Sequence, residues 1–143
     1  IGYLVIPSEL EDSEFVFDTA SNANRIIGCV NAPSLQQKVI GRCVDVQVDL
    51  DYYDRNLTSL YEGLKACGFD CVKPEGAFYM FLKSPVEDEN DFCAAAKKYN
   101  ILVVPGTAFA CPGYVRLAYC VSHETIVNSM DGFRNLAKEY GLL

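Results

Sequence analysis

The sequence predicts an α/β chain, in detail an α+β unit with a small, mostly antiparallel sheet and helices packed on one side. Three observations carry this. Short apolar runs alternate with helical periodicity through the second half of the chain. Pro-Gly pairs and isolated glycines separate these segments at the places where turns are needed. The run Tyr114-Val115-Arg116-Leu117-Ala118-Tyr119 alternates as a strand buried on one face only, which is the pattern of a sheet covered on one side.

Ile1–Ile6 is apolar and ends at Pro7, so it reads as a strand, though with no neighbouring partner strand. Glu11–Ile27 has helical spacing, with Phe15 and Ile26 on a face that is only partly apolar. Pro33 suits the first turn of a second helix running toward Cys43. Val44–Val48 alternates valines with polar residues but is taken as a connection. A helix follows from about Leu50, with Tyr53, Leu57, Leu60, Tyr61 and Leu64 on one stripe and Gly68 beyond its end. Phe69–Lys73 and Ala77–Leu82 are expected as an antiparallel strand pair, with Gly76 at a turn position of unusual dihedrals. Asp88–Tyr99 forms a helix stopped by Asn100. Ile101–Val104 reads as a short buried strand broken by Pro105-Gly106, and Pro112-Gly113 makes the next turn. Val115–Tyr119 is the arginine-bearing strand. Ser122 caps a last helix, with Glu124 in its positive first turn and Ile126, Met130, Phe133, Ala137 and Tyr140 facing inward, and Gly141 ends it.

At 143 residues, 50% hydrophobic and 22% charged, the chain has globular composition and is long enough for a packed domain. A net charge of -7 argues against a nucleic-acid or anionic-membrane partner. No apolar run approaches the ~20 residues that span a bilayer, and no signal-peptide pattern is read at the start. The seven cysteines are irregularly spaced. Cys67 and Cys71 lie four apart without a second pair or nearby histidine, so reduced cytoplasmic thiols are expected and no metal site.

Arg116 is the main candidate for chemistry. An ionised guanidinium among apolar neighbours is costly unless something anionic meets it. Small Ala118 shares its face and leaves room for a planar donor fork to take a carboxylate bidentately. On the strand alone, pairing with an internal Asp or Glu competes with a ligand role. Pro105-Gly106-Thr107 lacks the glycines and lysine of a phosphate loop and reads as a turn. Tyr79, Phe81 and Tyr119 read as core residues. His123, the only histidine, sits at a helix start and supports no catalytic triad.

Three ordered segments extend this reading: Pro74-Glu75-Gly76-Ala77-Phe78-Tyr79-Met80-Phe81, Ile101-Leu102-Val103-Val104-Pro105-Gly106-Thr107-Ala108-Phe109 and Gly113-Tyr114-Val115-Arg116-Leu117-Ala118. With Ile1-Gly2-Tyr3-Leu4-Val5, Ala23-Asn24-Arg25-Ile26 and Val30-Asn31-Ala32-Pro33-Ser34-Leu35-Gln36, the set strongly resembles the C-terminal part of class I/II, fold type I pyridoxal-phosphate aminotransferases, nearest the aspartate/aromatic branch. The resemblance covers essentially the whole chain. It implies that residues 1–43 are a remnant of the large domain with bridging helices, and that residues 44–143 are the C-terminal small domain.

The resemblance further implies a cytoplasmic, homodimeric parent that moves an amino group from an amino acid to a 2-oxo acid. Arg116 then binds the substrate α-carboxylate, and Phe78 lies at an aromatic position near the active-site mouth, with a core-strand role equally open for Phe78. The Schiff-base lysine and the phosphate-contacting arginine fall upstream of the positions matched by Ile1-Gly2-Tyr3. No catalytic, cofactor-binding or metal residue is therefore expected within the chain, and the isolated chain is expected to be inactive and without bound pyridoxal phosphate. A related C–S lyase or synthase of the same fold remains an alternative, as does a non-catalytic remnant acting as an interaction module. Dicarboxylic, aromatic and alanine-type substrates are not separated, because no second carboxylate-binding residue is assigned.

Overall fold

The computed structural model describes residues Ile1–Leu143. The chain divides into two compact units, Ile1–Val48 and Asp49–Leu143.

The first unit holds two helices, α1 (Ser13–Ile26) and α2 (Ser34–Ile40). Neither buries a residue. Pro33 stands just before α2, where its fixed φ and missing N–H cost nothing. The expected strand at Ile1–Ile6 does not form. Its backbone has no partner, and a lone strand satisfies none of its hydrogen-bonding groups. Tyr3, Leu4, Val5, Phe15, Phe17, Ile26 and Ile27 are all largely exposed, so this unit has no core of its own.

The second unit opens with α3 (Leu50–Ala66), whose N-cap Asp49 accepts a hydrogen bond from the Tyr52 N–H. Leu57, Leu60 and Leu64 are buried, as their spacing predicts. Gly68 follows with a φ of 81°, the left-handed conformation that closes helices. Strand β1 (Tyr79–Lys83) leads to α4 (Glu89–Lys97), then β2 (Val104–Pro105), a 3-10 turn (Gly106–Phe109), β3 (Tyr114–Ala118) and α5 (His123–Glu139). Ser122 caps α5 by accepting from the Thr125 N–H. Asn100 ends the α4 region with a φ of 59°.

The sheet is wholly antiparallel in the order β1-β3-β2. Phe81 lies directly opposite Arg116, and Tyr79 opposite Ala118. Met80, Leu82, Val115 and Leu117 turn to the buried face and join Leu64, Phe69, Phe92, Phe133 and Leu136 in one core. Phe69 meets Phe92 and Phe133 edge-on at centroid distances of 6.0 and 6.1 Å. Helices α3, α4 and α5 close this face, α5 packing on both α3 and α4. Within α5, Ile126, Phe133 and Ala137 are buried as read, and Met130 and Tyr140 are packed against the core.

Three sequence expectations are corrected here. Phe69–Lys73 is not a strand but contributes one isolated bridge, Cys71 to Leu82, because Phe69 and Cys71 are drawn into the core. Ile101–Val104 shortens to Val104–Pro105. Ile101 is buried but Leu102 is 81% exposed, and Pro105 has no N–H with which to extend a ladder. The left-handed turn residue is Ala77, with a φ of 59°, and not Gly76.

Candidate functional site

The sheet face opposite the helices carries the candidate site. Strand alternation sends Val115 and Leu117 into the core, so Arg116 must emerge on the other side. There its guanidinium carbon lies 4.0 Å from the centroid of the Tyr79 ring and 3.8 Å from that of Phe109. The two rings cover it as plates. Such cation–π contacts stabilise a partly desolvated guanidinium by about 0.5–2 kcal/mol each.

The plates come from different elements. Tyr79 begins β1, two register positions from Phe81 and so diagonal to Arg116, and the residue directly across from it is Ala118, too small to intervene. Phe109 ends the 3-10 turn and is 41% exposed. Its ring also meets Phe81 edge-on at 6.5 Å. Phe78 extends the row. It is 39% exposed and its ring lies 4.6 Å from that of Tyr79, tilted by 52°. The structure thus joins Phe78, Tyr79, Arg116 and Phe109 in one chain of contacts, and Phe78 is not a core-strand residue.

Arg116 pairs with no carboxylate of the chain. The two side-chain ion pairs are Lys98–Glu139 and Arg134–Asp131, both remote from it in sequence. The internal-pair reading of Arg116 is therefore overturned. With two aromatic rings against it and no carboxylate partner, the guanidinium keeps N–H donors with which to receive a carboxylate.

Glu89 was not visible as a site residue. It is buried at the start of α4, 5% exposed, and both carboxylate oxygens are committed. One accepts from the Thr107 N–H at 3.2 Å and from the Thr107 hydroxyl, the other from the Gly113 N–H at 3.0 Å. The Thr107 hydroxyl first, and then the Gly113 N–H, lower its pKa to about 2. The sequence offers an acidic residue in a helix first turn, which is common for dipole reasons alone. Its partners lie 18 and 24 residues later and leave no local trace.

Tyr119 is core, 1% exposed, as read, but it also acts locally. Its hydroxyl donates to the Ala77 carbonyl at 2.9 Å and fixes the turn that precedes Phe78. Asn56 is fully buried. Its amide donates to the carbonyls of Tyr119 and Val121 at 3.0 and 2.8 Å, and its oxygen lies 3.2 Å from His123 Nδ1. His123 is thereby tied to the chain leaving β3, consistent with a structural role.

No set of three His, Cys, Asp or Glu side chains is placed to hold a metal ion. All seven cysteines are free, and burial raises the pKa of Cys67, Cys71 and Cys93, which makes them poor nucleophiles. Every lysine is exposed. Lys73 lies over the Tyr61 ring and Lys98 pairs with Glu139. Lys83 lines an open cleft with Gly68, Phe69, Asp70, Ser84, Pro85 and Leu142. No helix is long and apolar enough to cross a membrane.

Comparison with known proteins shows the family. An aspartate aminotransferase of Thermotoga maritima is 30% identical over 133 residues, covering 92% of this chain and 33% of the relative. An aromatic-amino-acid aminotransferase 2 of Thermococcus litoralis is 34% identical over 96 residues, covering 64% and 25%. A solved amino transferase from Eubacterium rectale superposes with a TM-score of 0.87 at 43% identity, over 95% of this chain and 34% of that one. The chain thus spans about a third of the length of these proteins. Residues 12–132 match the family described as aminotransferase class I and II, and the chain belongs to that family.

Proposed function

We propose that the chain is the C-terminal portion of a pyridoxal-phosphate-dependent aminotransferase, and that Arg116 binds the α-carboxylate of the amino-acid substrate. The observation that carries this reading is the Arg116 guanidinium held between Tyr79 and Phe109 with no carboxylate partner in the chain. Family membership supplies the reaction class, and the stacked arginine supplies one specific task within it. Two fixed hydrogen bonds orient the substrate, and fixed orientation lowers the barrier of the step that follows. Phe78, at the exposed end of the row, forms part of the rim where substrate enters.

The cofactor chemistry belongs to this reading through the family, and no residue of the chain is assigned to it. The apolar surface of Ile1–Val48 supports docking against a large domain. The division into a large-domain remnant (1–43) and a small domain (44–143), the cytoplasmic setting and the homodimeric parent are part of the same proposal.

The test uses the complete enzyme that carries this chain. Amino transfer from an L-amino acid to a 2-oxo acid is measured beside the corresponding amine that lacks the α-carboxylate. The amino acid is expected to react with far higher kcat/KM. Absence of amino transfer, or equal use of the amine, refutes the reading.

A further inference from the structure

We propose that Glu89 is a positioning residue for the arginine site: its carboxylate pins the 106–113 loop at two points and so holds the Phe109 ring over Arg116. The consequence for substrate rests on the reading of Arg116 as the carboxylate-binding residue. The positioning itself does not.

The loop needs such a pin. Phe109 is 41% exposed, so core packing does little to place its ring. The residue after it, Ala110, has a φ of 55°, a conformation that costs a non-glycine residue about 1 kcal/mol and persists only where surroundings impose it. The surroundings here are few. Cys111 N–H donates to the Gly106 carbonyl at 3.0 Å, Ala110 N–H to the Thr107 carbonyl at 3.2 Å, and Ser84 N–H to the Gly113 carbonyl at 2.9 Å. Beside the backbone bond from Cys111 to Gly106, the Glu89 side chain links both limbs of the loop from outside it, through Thr107 on one side of Phe109 and Gly113 on the other. It does so from the start of α4, a helix seated in the core by Phe92 and Ala96. Phe109 lies between the two attachment points, and its ring centroid is 3.8 Å from the guanidinium carbon.

The chemistry at Glu89 asks for a carboxylate. Three donors converge on two oxygens. A glutamine there turns an NH2 group toward N–H donors, so at least one attachment is lost.

The test reads the surroundings of Arg116 without any substrate. The Nε–H resonance of Arg116 is assigned in the full 143-residue chain by its disappearance in Arg116→Lys. Ring stacking places it upfield of unstacked arginines. Phe109→Leu, which removes one plate, moves it downfield and calibrates the effect. Glu89→Gln is expected to move it in the same direction. The double variant Glu89→Gln/Phe109→Leu is expected to move it no further than Phe109→Leu alone. An Arg116 resonance that keeps its wild-type position in folded Glu89→Gln overturns the proposal, and so does a double variant whose shift is the sum of the two. If Glu89→Gln does not fold, Thr107→Val decides, since it removes one donor and keeps both backbone N–H groups. A smaller downfield shift supports the proposal, and none overturns it. Because no substrate is present, these outcomes stand apart from whether Arg116 binds a carboxylate.

Discussion

Arg116→Lys keeps the positive charge and removes the planar fork. The magnitude follows from the stacked geometry. Ring centroids 4.0 and 3.8 Å from its central carbon restrict the guanidinium, and its planar fork is able to give a carboxylate two parallel N–H groups. An ammonium on a flexible stem meets a carboxylate through one such bond and gains little from being held flat. One charged hydrogen bond lost is about 1.5–3 kcal/mol, which corresponds to roughly a 10- to 150-fold fall in kcat/KM. The fold pays less. Partial loss of two cation–π contacts costs about 1 kcal/mol, which lowers Tm by only a few degrees. The assay compares kcat/KM for an L-amino acid and for the amine without the α-carboxylate, alongside a thermal melt. The amino acid should lose the full factor and the amine almost none. A wild-type constant for the amino acid, or equal losses for both substrates, refutes the reasoning.

Other expectations follow from the same geometry. Gly106→Ala places a methyl group against the carbonyls of Cys111 and Tyr114, the latter at 2.6 Å, and should destabilise by about 1–3 kcal/mol in urea unfolding. Leu64→Ala empties a fully buried site between α3 and the sheet and should cost about 2–5 kcal/mol in the same experiment. The Glu89 pKa is lowered on folding to about 2, so its contribution is complete above the ordinary carboxylate range and is lost as pH falls from about 4.5 toward 2. The stability gap between wild type and Glu89→Gln should therefore narrow over that window, and a gap that stays constant or widens contradicts the assignment. Treating the 143-residue chain with pyridoxal phosphate and borohydride should give scattered, substoichiometric labelling of exposed lysines by peptide mass. One stoichiometric adduct, with an absorbance band that shifts on adding an amino acid, would show a cofactor site within the chain.

The parts legible in the sequence are those set by local periodicity. The two faces of β3 follow from strict alternation, and Val115, Leu117 and Tyr119 are buried as read. The α3 stripe and the caps Gly68, Asn100 and Ser122 are equally local. Strand lengths were not legible, because a strand exists only where a partner offers its backbone. Ile1–Ile6 has none, Phe69–Lys73 finds one bridge, and Ile101–Val104 meets β3 only at its last residue. The arginine was recognisable as an unusual strand residue, but its plates were not. Tyr79 reaches Arg116 through a diagonal of the sheet register, and Phe109 through a 3-10 turn held by Glu89. Each of these is a relation between segments distant along the chain, and amino-acid type at one position does not encode it.

The stacked arrangement also resolves the difficulty that made Arg116 conspicuous. A half-buried guanidinium needs compensation for lost hydration. An internal carboxylate would supply it, but would occupy the N–H edge and close the site to any other anion. Aromatic faces supply part of it in a different direction. The negative charge of each ring lies above and below its plane, so Tyr79 and Phe109 stabilise the cation without taking the place of a carboxylate on its N–H groups. The compensation is incomplete by design of the geometry, since cation–π contacts are weaker than a desolvated ion pair with full hydrogen bonding. The remaining attraction is available to an anion from outside the chain. An acidic chain of net charge -7 can in this way present a local anion-binding group, because at physiological salt charges beyond about 8 Å are largely screened and the nearest cation dominates.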